Sequence, residues 1–449
     1  MTLARATGLA ALALLASAAA AQAGPPGRWT RVTGVGQPVA STLEVGVART
    51  PDGVLHVLWT RAAGTAGSVL HSTVSADARR VGAPRPVAAY QGGVNDSVAL
   101  LAVPGGLRAF FAGLQAGSPV DRVMATATFA RSAWSPAVPA SNTASGRTPY
   151  AAAGVAAGVG LDGTPVSAWG SPGSGFHVGL DPAAPDGSLP GRTATDPGVG
   201  VDSVGGRVVV AWNLLDEGGV AAISVSSPGA RRTIPGSRAA QLQHRVGVTG
   251  RIGASGVYVA YIAGDNQFTG RPAVWRFGAG RGRLVSRTTG ARDICVAPAP
   301  GGRLWVFWHR DGRLFATRSD PAATRFGAVV SLDSPRGTRS LHDLAGEGSR
   351  GPLDLMALLT RARTGTANWH QRVLPGLTLS VVAARPGLGT FRVLDAGVPV
   401  PGARVSVAGA GSRRTRAGGL VSLRLARGSH RATAAKRGYT TGSVLVRAG

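Results

Sequence analysis

One cysteine, Cys295, stands among 449 residues. No disulfide can form within the chain. Cys295 lies in the strand-like run Ile294-Cys295-Val296, where it reads as a small buried hydrophobe. A single lysine, Lys436, accompanies 21 acidic residues, and arginine supplies almost all of a +27 formal charge. Charged residues make up only 15%, which excludes a solvated disordered chain. No basic run carries interleaved aromatics, so specific nucleic-acid binding is not expected. The eight histidines are scattered without His-x-Glu-x-x-His spacing or paired cysteines, so no zinc site is expected. There is no Gly-x-Ser-x-Gly elbow and no phosphate loop. After residue 23 no stretch is long and apolar enough to span a membrane.

The first 23 residues read as a secretory signal: Arg5, an Ala/Leu-rich run from Ala6 to Ala21, and Ala21-Gln22-Ala23 as a small-x-small cleavage site. The expected protein is therefore exported, and its stability must come from a core rather than from disulfides.

Glycine is plentiful (67), and seven of these glycines keep time. In Pro51-Asp52-Gly53-Val54-Leu55-His56-Val57-Leu58-Trp59 a turn ending in Gly leads into a strand, with Trp six residues on. The spacing returns at Gly163 to Trp169, Gly206 to Trp212 and Gly302 to Trp308, with looser copies at Gly106, Gly256 and Gly351. A period near fifty with several short strands per unit predicts an all-β, seven-bladed β-propeller over residues 24–375. The Trp residues read as packing between blades. Repeat one gives strands at Leu43–Ala48, Val54–Thr60, Ser68–Val74 and Arg85–Ala89, with Leu55, Val57 and Trp59 on one face and His56 and Leu58 on the other. In repeat six, Asp311-Gly312 marks a two-residue hairpin turn. Arg28-Trp29-Thr30-Arg31-Val32 resembles the outer strand near Trp134, so the N-terminal strand is expected to complete the last blade.

Residues 376–449 lose the period and read as about six short strands of a β-sandwich. Val398-Pro399-Val400-Pro401-Gly402-Ala403-Arg404-Val405, Thr415 to Leu420, and Arg437-Gly438-Tyr439 resemble the carboxypeptidase regulatory-like (transthyretin-like) β-sandwich family. That resemblance implies a non-catalytic accessory domain. The repeats are similar to sialidase-like secreted propellers. Ser75-Ala76-Asp77-Ala78-Arg79 stands where that family has its Asp-box, with Arg in place of Gly. A sialidase would need a Tyr nucleophile with a carboxylate. Of five tyrosines, Tyr150 alone falls just ahead of an inner strand, with Glu217 and Glu347 as the acidic residues to consider.

One constellation stands out. Glu44, Asp96, Asp293 and Asp343 lie at the starts of inner strands in repeats one, two, six and seven, with His244-Arg245, Arg292 and His342 beside such starts. Loops leaving second strands on the same face carry Asn213, Asp216, Glu217, Asp265-Asn266 and His309-Arg310. The ligand-binding residues expected are Glu44, Asp96, Arg245, Arg292, Asp293, His309, His342 and Asp343, with Ca2+ the one cation the carboxylates suggest. Against this, the same groups can cap strands and line a hydrated channel. The function expected is non-catalytic recognition of an extracellular glycan or acidic cell-wall polymer by a monomer. The alternatives are a sialidase-like hydrolase or lyase using the channel-mouth carboxylates, and a protein-interaction scaffold.

Overall fold

The computed structural model describes residues 27–33, 45–63, 66–91, 97–114, 122–139, 153–171, 175–179, 187–189, 194–214, 218–225, 231–238, 245–266, 268–363 and 365–448. The proposed signal, Glu44, Asp96, Tyr150, Asp216, Glu217 and His244 lie outside them. The described residues are all-β, with no α-helix. Among the described residues no helix is long and apolar enough to cross a membrane.

Seven antiparallel sheets follow one another along the chain. The first comprises Gly46–Arg49, Leu55–Ala63, Ala66–Val74 and Arg85–Gln91. The sixth comprises Arg292–Ala299, Arg303–Arg310, Arg313–Arg318 and Val330–Asp333. The seventh takes Thr338–Glu347, Leu353–Arg361 and Gly365–Val373, and its fourth strand is Thr30–Arg31 from the N-terminal end, with Thr30 opposite His370. First strands of successive sheets lie side by side, and that of the seventh returns to that of the first. The approach is close enough to require glycine. A Cβ on Gly198 would sit 2.0 Å from the Val246 carbonyl, and one on Gly247 would sit 3.0 Å from the Cys295 Cα.

The turn glycines do what the repeat implies. Gly53, Gly163, Gly206, Gly302 and Gly351 all have positive φ, as a tight turn between first and second strands demands; in the fifth repeat the turn glycine is Gly253 (φ 66°), and Gly256, also at positive φ, lies inside the second strand. In the second repeat that role falls to Gly105 (φ 84°), while Gly106 opens the strand. Asp311 and Gly312 both have positive φ, which makes the hairpin a type I′ turn. Trp59, Trp169, Trp212 and Trp308 are buried between sheets. Leu55, Val57 and Trp59 pack with Met356 and Leu358 of the seventh sheet, whereas Leu58 packs with Val98 and Leu107 of the second. Neither face of a second strand such as Val208–Leu214 is solvated, so these strands read as continuous apolar runs, whereas the outer strands are exposed.

Beyond residue 376 two four-stranded antiparallel sheets enclose one core that includes Phe391, Val405, Leu423 and Ala434. Val398–Pro399 and Gly411–Arg414 are short strands that the sequence pattern does not show. This part docks on the sixth sheet. The Asp395 carboxylate takes the guanidinium groups of Arg318 and Arg303, and Arg318 lies between the rings of Trp305 and Tyr439.

Candidate functional site

First and second strands are antiparallel in every sheet, so the starts of first strands and the ends of second strands lie toward the same edge. Arg292 is opposite His309, His342 is opposite Leu358, and Thr195 is opposite Asn213. At this edge the first strands of the third, fourth, sixth and seventh sheets each carry a β-bulge. Bulges re-aim side chains and are common beside binding sites. Gly154 takes the positive φ (73°) in the third sheet, where glycine carries no steric penalty. In the sixth and seventh the residue is aspartate: Asp293 at φ 40° and Asp343 at φ 46°. Non-glycine residues held there cost roughly 1–3 kcal/mol, a cost tolerated mainly at functional positions.

Asp293 is 7% exposed. Its Oδ2 lies 2.8 Å from His309 Nε2, while its Oδ1 has no hydrogen-bond partner among the described residues. Arg292, beside it, is exposed. In the seventh sheet Asp343 is buried and His342 half-buried. Sheet six thus places a buried acceptor, an imidazole and an exposed cation within one hairpin, groups whose chemistry suits a hydroxylated or acidic ligand.

Arg245 turns inward. Its Nη2 donates to the carbonyls of Val155 (2.8 Å) and Val98 (3.2 Å), and Nη1 reaches that of Val45 (3.4 Å). These come from the third, second and first sheets, so one side chain from the fifth ties four sheets together. It closes a channel of about 140 Å³ lined by all seven first strands, Cys295 included. The guanidinium does the work a cation would do at a ring of carbonyls.

Among the described residues no group of three or more His, Cys, Asp or Glu side chains is placed to hold a metal ion. Tyr258 and Tyr261 are buried, and burial pushes the Tyr261 hydroxyl up to about 12. Glu347 is taken by Arg49 in a salt bridge. None of the three is available as part of a sialidase-type nucleophile. Phe268, in the loop after the fifth sheet's second strand, is 69% exposed. Sequence reasoning passed over it, although one large apolar side chain in an otherwise polar loop, two residues after Asn266, is a readable signal.

No known protein family and no curated protein matches the chain. Among solved structures it is similar to a PL25 ulvan lyase bound to -[GlcA(1-4)Rha3S]-, at 11% identity and a TM-score of 0.47, over 76% of this chain and 95% of that one. It is also similar to the fucose-specific lectin from Aleuria aurantia, at 12% identity and a TM-score of 0.40, over 74% and 93%. A puromycin-hydrolyzing peptidase of Mycobacterium tuberculosis scores 0.43 at 12% identity, over 82% of this chain and 61% of that one. Such likenesses span different activities and assign none to this chain.

Proposed function

We propose that the seven sheets are the blades of a seven-bladed β-propeller over residues 24–375, followed by a transthyretin-like sandwich over 376–449. In this reading residues 1–23 export the protein. It binds an extracellular glycan, without turnover, at the edge that carries Asp293. The observation that carries the reading is Asp293 itself: a buried carboxylate in strained backbone with one oxygen unused. A sugar hydroxyl is the donor that such an acceptor lacks, and a hydrogen bond to a charged group contributes about 1.5–3 kcal/mol. The surface charge brings acidic polymers close but does not select among them.

The test is an array of neutral and acidic glycans, probed with the mature protein at low and raised salt. At least one glycan is expected to survive raised salt, and Asp293→Ala to bind it about tenfold more weakly. Release of reducing ends or unsaturated products would replace recognition by hydrolysis or elimination. Retention confined to acidic glycans and wholly reversed by salt would leave only the arginine charge.

A further inference from the structure

We infer that Phe268 is the stacking platform of an acidic-sugar subsite where the fifth sheet meets the sixth; this rests on the glycan reading above. Phe268 is the only aromatic among the large apolar side chains exposed in the described residues, at 69%. Burying a phenylalanine typically contributes about 1.5–3 kcal/mol, and here the fold forgoes that. The ring is not on a slack loop. Asn266 Oδ1 accepts from the backbone N–H of Phe268 (3.0 Å) and Thr269 (3.0 Å) and from the Thr269 hydroxyl (3.1 Å). That turn fixes the backbone from which the ring projects.

The loop leans on the sixth sheet. The Ala291 N–H donates to the Gly270 carbonyl at 3.2 Å. A Cβ on Gly290 would lie 3.8 Å from the Phe268 carbonyl and 3.6 Å from Arg310 Cδ. Arg310 rests over the Phe315 ring at 5.3 Å, and its polar contacts are long. Its Nη1 reaches the Thr289 carbonyl at 3.5 Å, and its Nε faces Asp311 at 3.3 Å, a partner whose side chain is 85% exposed. An ion pair with so exposed a carboxylate is weak and easily exchanged. Arg310 Nη2 and the whole guanidinium of Arg292 have no hydrogen-bond or ion-pair partner among the described residues.

A pyranose has a CH face and a polar rim. The CH face suits an exposed aromatic ring, and a carboxylate on the rim suits a planar guanidinium. A neutral sugar would leave Arg292 without a counter-charge and Arg310 with only its exposed partner Asp311. The ligand class is therefore a glycan that carries uronic acid.

Titration calorimetry with tetragalacturonate, and with cellotetraose as the neutral counterpart, tests this on the mature protein. The acidic tetrasaccharide is expected to bind one to one and more tightly than the neutral one. Phe268→Ala should weaken it about tenfold at both low and raised salt, and Phe268→Trp should restore it. Arg310→Ala should weaken it and flatten its salt dependence. Equal affinity of the native protein and Phe268→Ala overturns the inference, and so does failure of tetragalacturonate to bind. If tetragalacturonate fails while the array retains a neutral glycan through Asp293, the acidic subsite falls and glycan recognition stands. If the array retains nothing, both fall.

Discussion

Asp354 and Asp293 are carboxylates of adjacent sheets, almost equally buried at 3% and 7%, and the protein treats them in opposite ways. Around Asp354 every valence is met. Oδ1 accepts from His370 Nε2 (2.8 Å) and Arg372 Nε (2.9 Å), and Oδ2 from Arg372 Nη2 (3.2 Å) and Arg49. Arg49 comes from the first sheet, and it also grips Glu347 and the Gly53 carbonyl. Arg372 reaches back to the Ala76 carbonyl of the first sheet. The cluster joins the last sheet to the first. Among the described residues Asp293 has one partner, an idle oxygen and a left-handed backbone at φ 40°. A complete buried network holds parts together, whereas strain and unmet bonds persist where something outside the chain completes them. The cluster at Asp354 thus holds sheets together, and in the reading proposed above the edge at Asp293 is where the ligand binds.

The largest effect should follow from breaking the complete site. Burial alone would raise the Asp354 pKa, but the hydrogen bond and charge of His370 and the charges of Arg49 and Arg372 hold it down to about 2. Asp354→Asn removes that charge and leaves the buried Arg372 without a carboxylate partner, while Arg49 keeps Glu347. A loss of about 3–5 kcal/mol in urea unfolding is expected. A loss below about 1 kcal/mol would mean that the ring closes by apolar packing and that the contrast with Asp293 is cosmetic.

A second polar chain, between the first and second sheets, sharpens the contrast because it has a direction. Trp134 Nε1 donates to His71 Nδ1 (3.3 Å), so His71 Nε2 carries the proton and donates to His56 Nδ1 (2.8 Å). His56 Nε2 then donates to Thr50 Oγ1 (3.0 Å), which donates to Asp52 (2.5 Å). Phe129 and Trp134 pack on the His71 ring. Burial first, then the charges of His56 and Arg85, lower the His71 pKa from 6.5 to about 4. Burial also lowers that of His56, opposed by Asp52 and aided by Arg49. A depressed folded pKa on a base means that stability is complete above the unfolded value of 6.5 and declines as pH falls toward 4. The full loss is at most about 3 kcal/mol, less what partial exposure screens. Urea midpoints measured from pH 7 to 4 should fall in the native protein and fall less in His71→Phe. Parallel curves would refute the chain. Asp354 stays charged throughout that window, so ring closure should hold until the pH drops below the usual carboxylate range.

Local signals carried the repeat. A turn that needs positive φ selects glycine wherever it occurs, and a sheet covered on both faces selects apolar side chains at successive positions, so Gly53, Trp59 and their copies could be read directly. The hairpin at Asp311-Gly312 was legible for the same reason. The site was legible only in outline. Asp293, His309 and Arg292 do meet, because the start of the sixth sheet's first strand is paired with the end of its second. What Arg245 does depends on the carbonyls of Val45, Val98 and Val155, up to 200 residues away, and those distances exist only once the ring has closed. The Trp134–His71 bond likewise crosses from one sheet to the next. The bulges at Asp293 and Asp343 left no mark, since aspartate, although tolerated at positive φ, signals a turn only beside a glycine, as at Asp311-Gly312.

That mismatch yields the finest test. The third sheet already uses glycine at the bulge, at Gly154 with φ 73°. Asp293→Gly would give the sixth sheet the same solution. It relieves roughly 1 kcal/mol of backbone strain and forfeits one hydrogen bond to His309 of about the same size. Thermal or urea unfolding should therefore move by less than about 1 kcal/mol in either direction. Salt-resistant glycan retention should be lost in the same variant. A marked destabilisation would place Asp293 with Asp354, as a residue that holds the fold together. Unchanged stability with lost retention would show that the carboxylate is kept there, against the preference of its own backbone, for what it binds.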